Sequence, residues 1–310
     1  MNIRNVVIIG SGPAGYTAGL YAARANLSPL LVAGLNQGGQ LTQSSCVENW
    51  PGAFDFPSGL DLMDNFKKHV EKFNVETVVE NVSSVTKDGD VFSVNCSSGT
   101  YKTRSVIIAT GSSARYLGIR GEDRFIGSGI SACATCDGFF YRRKKVAVIG
   151  GGNTAVTDAL YLSGLAAETH LIHRRDAFRC EKILTDKLMK LVDEGKIILH
   201  LDSIPVEFTG DEYLTGVKIS NVKTGSDEIL SVNGVFEAIG HVPNTAFLGD
   251  LVELDHGYIK TGENSSYVTA TSVPGIFAAG DVADSRYQQA IVAAGRGCMA
   301  ALDVERFLAV

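Results

Sequence analysis

Short runs of apolar residues, many of them β-branched, recur along the chain, and a glycine-rich loop directly follows two of them. The run Val6-Val7-Ile8-Ile9 has the length and composition of a buried parallel strand, and Gly10-Ser-Gly12-Pro-Ala-Gly15 follows it directly. Small residues from Tyr16 to Ala25 predict a helix, and Leu30-Leu31-Val32 predicts the next strand. The pattern therefore predicts a β-α-β unit with a glycine loop at its strand-to-helix turn.

The same pattern returns in the middle of the chain. Lys145-Val-Ala-Val-Ile149 predicts a strand, and Gly150-Gly-Gly152-Asn-Thr-Ala155 is the second glycine loop. A helix from Val156 to Leu165 and a strand at His170-Leu-Ile-His173 complete the unit. Two β-α-β units in one chain predict two similar doubly wound domains.

Further strands lie between and after these units. Asp90–Cys96 alternates as a half-exposed strand, and Ser105-Val-Ile-Ile-Ala-Thr-Gly111 is a buried strand ending in a glycine turn. Residues 197–239 hold more strand-like segments. Near the end, Gly275-Ile-Phe-Ala-Ala-Gly280-Asp281 predicts a strand, and Gln289 to Phe307 predicts a closing helix.

This order predicts that the second unit is inserted into the first. The chain would cross between the domains near Ser112–Gly118 and Ile239–Asn244. The fold class is α/β, with two Rossmann-like, three-layer β/β/α nucleotide-binding domains. The first domain spans residues 1–113 and 244–310, and the inserted domain spans residues 114–243.

Composition narrows the class of protein. Of 310 residues, 45% are hydrophobic and 20% are charged, which is typical of a globular protein. A net charge of −6 without a long basic run argues against a nucleic-acid partner or an anionic membrane. We find neither a signal-peptide pattern nor an apolar stretch long enough for a membrane span, so we expect a cytoplasmic protein.

The first glycine loop predicts a dinucleotide site. Its glycines permit a tight turn, so that backbone N–H groups and the helix dipole can hold a pyrophosphate. The acidic residue expected about 20 positions later for a ribose hydroxyl is absent. Asn36 or Gln37 stands there instead, so the adenosine contacts are open.

Arginines follow the second glycine loop at the position that distinguishes the two nicotinamide cofactors. His173-Arg174-Arg175 and Arg179 occupy the place of the usual ribose-binding acid. Guanidinium groups pair with a dianionic 2′-phosphate, which favours NADPH over NADH. Since one nicotinamide site suffices, the first loop would hold the hydride acceptor, and FAD is the natural candidate. Gly280-Asp281 would contact its ribitol or phosphate.

A Cys-x-x-Cys motif lies between the two loops. Six cysteines are too few for a disulfide scaffold, and only Cys133 and Cys136 are close in sequence. Two thiols at this spacing can close a disulfide and reopen it, which stores two electrons. Asp137 is the only carboxylate adjacent to the pair and is the candidate acid–base group.

Together these motifs resemble bacterial thioredoxin reductases of the low-molecular-weight type. The resemblance covers essentially the whole chain and includes Gly39-Gln-Leu41, Ala109-Thr-Gly111 and Cys133-Ala-Thr-Cys136-Asp137. It implies a homodimer that carries FAD and NADPH and reduces the disulfide of thioredoxin. It also implies that Cys136 faces the flavin, that Cys133 exchanges with the partner disulfide, and that Asp137 is the general acid–base. A rotation about the two crossings would bring nicotinamide and dithiol to the flavin in turn.

The resemblance and the loops together predict the cofactor residues. Those assigned to FAD are Gly10, Ser11, Gly12, Pro13, Ala14, Gly15, Ala33, Gly34, Gly38, Gly39, Gln40, Asn49, Ala109, Thr110, Gly111, Gly280, Asp281, Gln289 and Ala290. Those assigned to NADPH are Gly150, Gly152, Asn153, Thr154, His173, Arg174, Arg175 and Arg179. No metal site is predicted.

Three positions depart from the family pattern. Gln288 stands where an arginine is frequent, Cys180 follows the phosphate-site arginine, and Asn36-Gln37 replaces a more charged pair. The first and last affect expected FAD contacts.

Other functions stay open at this point. The chain could reduce another small carrier, such as a glutaredoxin-like protein. In a different class, it could be a nucleotide-binding redox sensor or use the two cysteines as half of a zinc knuckle. Zinc needs four ligands, and the sequence has no second Cys-x-x-Cys or Cys/His pair.

Overall fold

The structure is a computed structural model that describes residues 3–44, 47, 49–52, 58–262 and 266–309. The chain divides into two compact units, of which the first comprises Met1–Ser113 with Val242–Val310 and the second comprises Ala114–His241. The strands are β1 (Arg4–Ile9), β2 (Leu30–Val32), β3 (Glu76–Val78), β4 (Val82–Asp88), β5 (Val91–Cys96), β6 (Gly99–Ile108), β7 (Ser112–Ala114), β8 (Ile130–Ser131), β9 (Lys145–Ile149), β10 (Glu168–Ile172), β11 (Ile197–His200), β12 (Ser203–Gly210), β13 (Leu214–Asn221), β14 (Asp227–Leu230), β15 (Gly234–Glu237), β16 (His241–Pro243), β17 (Leu254–Asp255), β18 (Tyr258–Ile259) and β19 (Ile276–Ala278). The α-helices are α1 (Pro13–Arg24), α2 (Gly59–Lys72), α3 (Glu122–Phe125), α4 (Ala134–Asp137), α5 (Asn153–Ser163), α6 (Lys182–Asp193) and α7 (Ala290–Leu308). Short 3₁₀ helices cover Gly39–Gln43, Gly138–Tyr141 and Ala246–Leu248.

A seven-stranded sheet forms the centre of the first unit. Its order is β3-β2-β1-β6-β5-β4, and β19 also pairs with β6. The strands β3, β2, β1, β6 and β19 are parallel, whereas β4, β5 and the first half of β6 form an antiparallel ribbon. Val7 is in register with Leu30 on one side and Val106 on the other, and all three are fully buried. Continuous burial explains why β1 is apolar at successive positions.

The second unit contains two sheets. The parallel sheet has the order β11-β10-β9-β15-β8, and β12, β13 and β14 form an antiparallel sheet. One apolar cluster joins Ile149 and Ile172 of the parallel sheet to Val217 of the antiparallel sheet. A second cluster joins Val148 to the helices α5 and α6. These are the β/β/α layers, and the predicted α/β fold class is confirmed.

The two strands at the division between the units, β7 and β16, pair with each other. The division falls between Ser113 and Ala114 and between His241 and Val242. Within the described residues, we find no helix with both the length and the apolar character that crossing a bilayer requires.

Helix boundaries follow local chemistry. Pro13 occupies the first turn of α1, where its missing N–H is not needed, so the helix begins three residues before the predicted Tyr16. The sequence analysis did not predict α2 and α6. In α2, Met63, Phe66 and Val70 recur at three- and four-residue spacing on the side that contacts the core.

The closing helix α7 packs directly on α1 through a glycine. A Cβ at Gly297 would collide with the Ala14 carbonyl, which belongs to the backbone and cannot rotate away. Gly295, two residues earlier on the same helix, has nothing within 4 Å of the corresponding position. The α1–α7 contact therefore requires glycine at one position and tolerates a larger residue at the other.

We predict opposite effects for the two substitutions. Gly297→Ala forces α7 away from α1 and should lower the free energy of unfolding by about 1–3 kcal/mol. Gly295→Ala gains helix propensity without a clash and should raise it by about 0.5–1 kcal/mol. Urea unfolding followed by circular dichroism measures both. Equal effects of the two substitutions would contradict this account of the packing.

Candidate functional site

The first glycine loop brings two strand ends and a helix into close contact. Gly10 has a φ of +108°, and a Cβ there would collide with the Ala109 carbonyl. A Cβ at Gly15 would collide with the Gly10 carbonyl, whereas Gly12 has nothing within 4 Å. The loop is thus closed toward the sheet and open at Gly12. No side chain caps the start of α1, so its first N–H groups and its dipole are left for an anion.

A second layer of residues surrounds this loop. The buried Ser11 hydroxyl donates to the Ala33 carbonyl at 2.7 Å and accepts from the Gly38 amide at 3.2 Å. Gly34 and Gly38 are in the left-handed region, where glycine is favoured. A Cβ at Gly39 would lie 3.2 Å from the Cα of Gly12. These contacts hold the segment after β2 against the first glycine loop.

Two buried polar atoms near these segments have no partner within the described part of the chain. They are Oε1 of Gln37 and Oγ of Ser112. The side-chain amide of Gln40 donates to the Ser112 carbonyl, which joins the two segments. Buried polar groups ordinarily find hydrogen-bond partners. The hydroxyls and ring N–H of a bound flavin dinucleotide would supply them, so these residues fit FAD.

The end of β19 meets the same region. Gly280 has a φ of +82°, and a Cβ there would lie 3.0 Å from that of Ala14. Burial, and secondarily the charge of Asp284, raises the pKa of Asp281 to about 6. The structure therefore brings the Gly-Asp turn beside α1, as a ribitol or phosphate contact requires.

The remaining FAD candidates lie at strand and helix ends. The Ala109 amide donates to the Ile9 carbonyl at 2.8 Å, which keeps the ends of β6 and β1 together. Asn244 joins Thr110 and Gly111: it accepts from the Thr110 hydroxyl at 2.8 Å and donates to the Gly111 carbonyl at 3.0 Å.

The start of α7 holds the last candidates. Gln289 precedes Ala290, the first residue of α7. The Asn49 amide donates to the Gln289 side chain at 3.4 Å. Gln288, which departs from the family pattern, has a φ of +48°, and its amide donates to the Tyr258 hydroxyl at 3.3 Å.

The second glycine loop repeats the geometry of the first. A Cβ at Gly150 would meet both the Ala238 carbonyl and the Ala155 side chain, whereas Gly152 has nothing within 4 Å. Gly152 precedes α5, which has no side-chain cap. The Asn153 side chain is engaged by Glu181 through hydrogen bonds of 2.9 and 3.1 Å. Thr154 is exposed in the first turn.

A histidine orders the loop that carries the arginines. The His173 ring is buried, stacks on Phe178 at 5.2 Å and bonds the Ala177 carbonyl at 3.0 Å. A Cβ at Gly151 would collide with this ring, which explains the glycine between Gly150 and Gly152. His173 therefore organises the turn, rather than presenting a free imidazole.

Three guanidinium groups project from this turn. Arg174, Arg175 and Arg179 are exposed, and within the described residues no ion pair or hydrogen bond engages their side chains. The Arg179 amide donates to the Gly151 carbonyl at 2.8 Å, so the arginines are tied to the glycine loop. Free cations beside an uncapped helix start suit a phosphate-rich ligand such as NADPH.

The two cysteines form a disulfide at the start of a short helix. Cys133 precedes α4 and Cys136 lies within it, with Cα atoms 5.3 Å apart. Both residues are half-buried. The backbone amide of Cys133 donates to the Ser131 hydroxyl at 3.0 Å, and the Asp137 amide donates to the Cys133 carbonyl at 3.2 Å. The predicted redox pair is thus closed and accessible at one edge.

The carboxyl group of Asp137, the residue after Cys136, is poorly solvated. Burial raises its pKa, and a hydrogen bond from Ser131 partly offsets the increase. A carboxyl that keeps its proton closer to neutral pH can donate it to a leaving thiolate.

Comparison with known proteins agrees with this arrangement. A family model described as "Pyridine nucleotide-disulphide oxidoreductase" matches residues 4–297. The chain belongs to the pyridine nucleotide-disulphide oxidoreductase family. It is 54% identical over 306 residues to a protein of Escherichia coli O157:H7 named "Thioredoxin reductase", covering 98% of this chain and 95% of the relative.

Two further matches bear on function. A protein of Pseudomonas fluorescens named "Glucosaminate ammonia-lyase" is 53% identical over 305 residues, covering 98% of this chain and 95% of that protein. The crystal structure of thioredoxin reductase from Streptococcus pyogenes MGAS5005 is similar, with a TM-score of 0.91 and 38% identity, covering 99% of this chain and 98% of that one. The resemblance predicted from the motifs is confirmed.

Several residues of this family member were not found by sequence reasoning. Ser131 bonds both Cys133 and Asp137, although a lone serine before a cysteine carries no signal. Tyr141 has its pKa raised to about 12 by burial and by Asp137. Ser112 follows a predicted turn, and nothing in the sequence indicates that its hydroxyl is buried without a hydrogen-bond partner.

The described residues contain no group of three histidine, cysteine or acidic side chains that could hold a metal ion.

Proposed function

We propose that this protein transfers two electrons from NADPH, by way of FAD, to the Cys133–Cys136 disulfide and then to the disulfide of thioredoxin. The observation that carries the proposal is this disulfide, which lies in the same compact unit as a glycine loop with three free arginines. The likeness to proteins named thioredoxin reductase supports thioredoxin as the substrate. Our proposal assigns FAD to the first unit and NADPH to the second.

The chain's own residues would hold each cofactor by its phosphates. Gly12 and the start of α1 would bind the FAD pyrophosphate. The hydroxyls and ring N–H of FAD would complete the hydrogen bonding of Gln37 and Ser112. Gly152 and the start of α5 would bind the NADPH pyrophosphate, with the arginines on its 2′-phosphate. When bound, FAD supplies a centre that accepts a hydride and delivers two electrons to a disulfide.

Once reduced, the two cysteines would act by thiol–disulfide exchange. The Cys133 thiolate attacks one sulfur of the thioredoxin disulfide, forming a mixed disulfide and releasing the other sulfur as a thiolate. The Cys136 thiolate then attacks Cys133, which closes the Cys133–Cys136 bond and releases dithiol thioredoxin. Two electrons leave the protein in this sequence. Asp137 would supply a proton to a leaving sulfur and recover it when the pair is reduced again.

The surface beside the disulfide supports a protein substrate. Phe139, three residues after Cys136, is 52% exposed, and Arg142, Arg143 and Lys144 follow it as exposed cations. An exposed aromatic ring with cations around it is typical of a docking surface.

We also propose a cytoplasmic homodimer without nucleic-acid or membrane partners, on the strength of the family resemblance and the net charge of −6. In this scheme, β7 and β16 would act as the hinge that brings each reactant to the flavin.

The first test measures NADPH oxidation coupled to thioredoxin reduction. The native protein should turn over, and Cys136→Ser should abolish reduction of thioredoxin because no internal disulfide can form. Cys180→Ala is the matched control: this thiol is half-buried, bonds Thr185 at 3.1 Å and should be dispensable. Turnover by Cys136→Ser at the native rate would refute the mechanism. Ammonia release from glucosaminate without NADPH would favour the activity named for the Pseudomonas relative instead.

A second test concerns the arginines. Arg175→Ala removes one charged hydrogen bond to the 2′-phosphate and should raise the KM for NADPH about 10–100-fold. The KM for NADH, which has no such phosphate, should stay unchanged and is the internal control. An equal rise in the KM for both cofactors would show that Arg175 supports the fold and does not bind the 2′-phosphate.

A third test concerns the acid. Asp137→Asn should lower kcat for thioredoxin by about 100-fold, since it cannot donate a proton as a carboxylic acid can. Ser131→Ala removes a hydrogen bond that lowers the pKa of Asp137, so it should shift the carboxyl-dependent limb of the pH–rate profile toward higher pH. An unmoved profile together with full activity of Asp137→Asn would exclude this role.

A further inference from the structure

A second buried carboxyl group lies in the core of the second unit. Glu237 is the last residue of β15 and is only 1% exposed. Neither of its carboxyl oxygens accepts a hydrogen bond from a donor among the described residues. Val235, on the same face of the strand, belongs to the apolar cluster between the two sheets. An ionised carboxylate at such a position would be costly, because nothing replaces its lost hydration.

Its neighbour is another acid. Glu122 begins α3, is 3% exposed and lies within hydrogen-bond reach of Glu237. The two oxygens of Glu122 accept from the amides of Leu117 at 2.8 Å and Gly118 at 2.7 Å. The Leu117 amide lies near both carboxyl groups, but its hydrogen bond goes to Glu122.

Chemistry decides which acid holds a proton. Two ionised carboxylates are acceptors only, so a hydrogen bond between them needs one proton. Two backbone donors stabilise the charged form of Glu122, whereas Glu237 lacks such donors. The neutral form therefore belongs on Glu237.

We propose that Glu237 is a protonated carboxyl that donates to Glu122, and that the pair is a proton-dependent latch on the Leu117–Gly118 turn. The turn begins three residues after β7, and Glu237 stands four residues before β16. The latch thus joins the two places where the chain enters and leaves the second unit. Loss of the proton sets two negative charges against each other and weakens the hold of Glu122 on the turn.

The surrounding groups do not neutralise that charge. Tyr116 lies close enough that Glu237, Glu122 and Asp137 all raise its pKa, in addition to its burial. Arg120 is exposed and is paired with Glu207 at 3.2 Å. Burial first, and then the charge of Glu122, raises the pKa of Glu237 to about 8.

The proposed pair should make the protein less stable as pH rises. A carboxyl whose pKa is higher in the folded state binds more protons there than in the unfolded chain. Stability therefore falls as pH rises from about 4.5, the ordinary value, to about 8, and the loss levels off above that. This direction is opposite to that of an ion-paired carboxyl.

The test compares thermal unfolding of the full-length protein with that of Glu237→Gln, which cannot ionise and keeps an N–H donor for Glu122. The Tm of the native protein should fall relative to that of the variant by about 2–4 °C per pH unit between about pH 5 and about pH 8. Above about pH 8 the difference in Tm between the two proteins should stay constant. Glu194→Gln, at an exposed carboxyl paired with Lys196, is the control and should show no such trend. A Tm difference that is independent of pH would overturn the proposal.

A second measurement needs no variant. In uniformly ¹³C-labelled native protein, the Glu237 carboxyl resonance should titrate near pH 8, and hydrogen exchange of the Leu117 and Gly118 amides, corrected for intrinsic rates, should accelerate over the same range. Titration of Glu237 at the ordinary carboxyl pH, or unchanged amide protection above pH 8, would refute the latch even if Glu237→Gln does not fold.

Discussion

Both units depend on one steric constraint: a buried parallel strand must turn into a helix with almost no space between them. Carbonyl groups occupy the positions where Cβ atoms would stand at Gly10, Gly15 and Gly150. Because the backbones touch, the helix begins directly over the strand end, and its first N–H groups face open space at Gly12 and Gly152. The same close approach that completes the core therefore leaves two uncapped helix starts facing open space.

The redox pair is attached to one of these sites by packing. Gly138 follows α4, and a Cβ there would come within 3.0 Å of Tyr161 and Leu162 on α5. The helix that carries Cys136 is thus packed on α5, the helix that follows the second glycine loop. This packing ties the dithiol and the loop to one another within the second unit.

Sequence reasoning succeeded where a signal is local. Successive apolar residues mark β1 and β9, and the glycine spacing marks both loops. The predicted starts of α1 and α5 lie only three residues after the observed ones at Pro13 and Asn153. The helix α6 was missed, although Leu184, Leu188 and Leu191 repeat on one side. Other features depend on segments that are far apart in sequence, and only the folded chain reveals them. Examples are the unpaired Oε1 of Gln37 and the contact between Glu122 and Glu237.

The contact between Gly297 and Ala14 also has a consequence for synthesis. The first unit takes its strand β19 and helix α7 from the last part of the chain, while the second unit is one continuous segment. On the ribosome, residues 114–241 are complete well before α7 emerges. The inserted unit can therefore fold early, whereas α1 waits with an uncovered apolar face until α7 has been made. Chaperone engagement and proteolysis of nascent chains should fall on the N-terminal segment, even though it is made first.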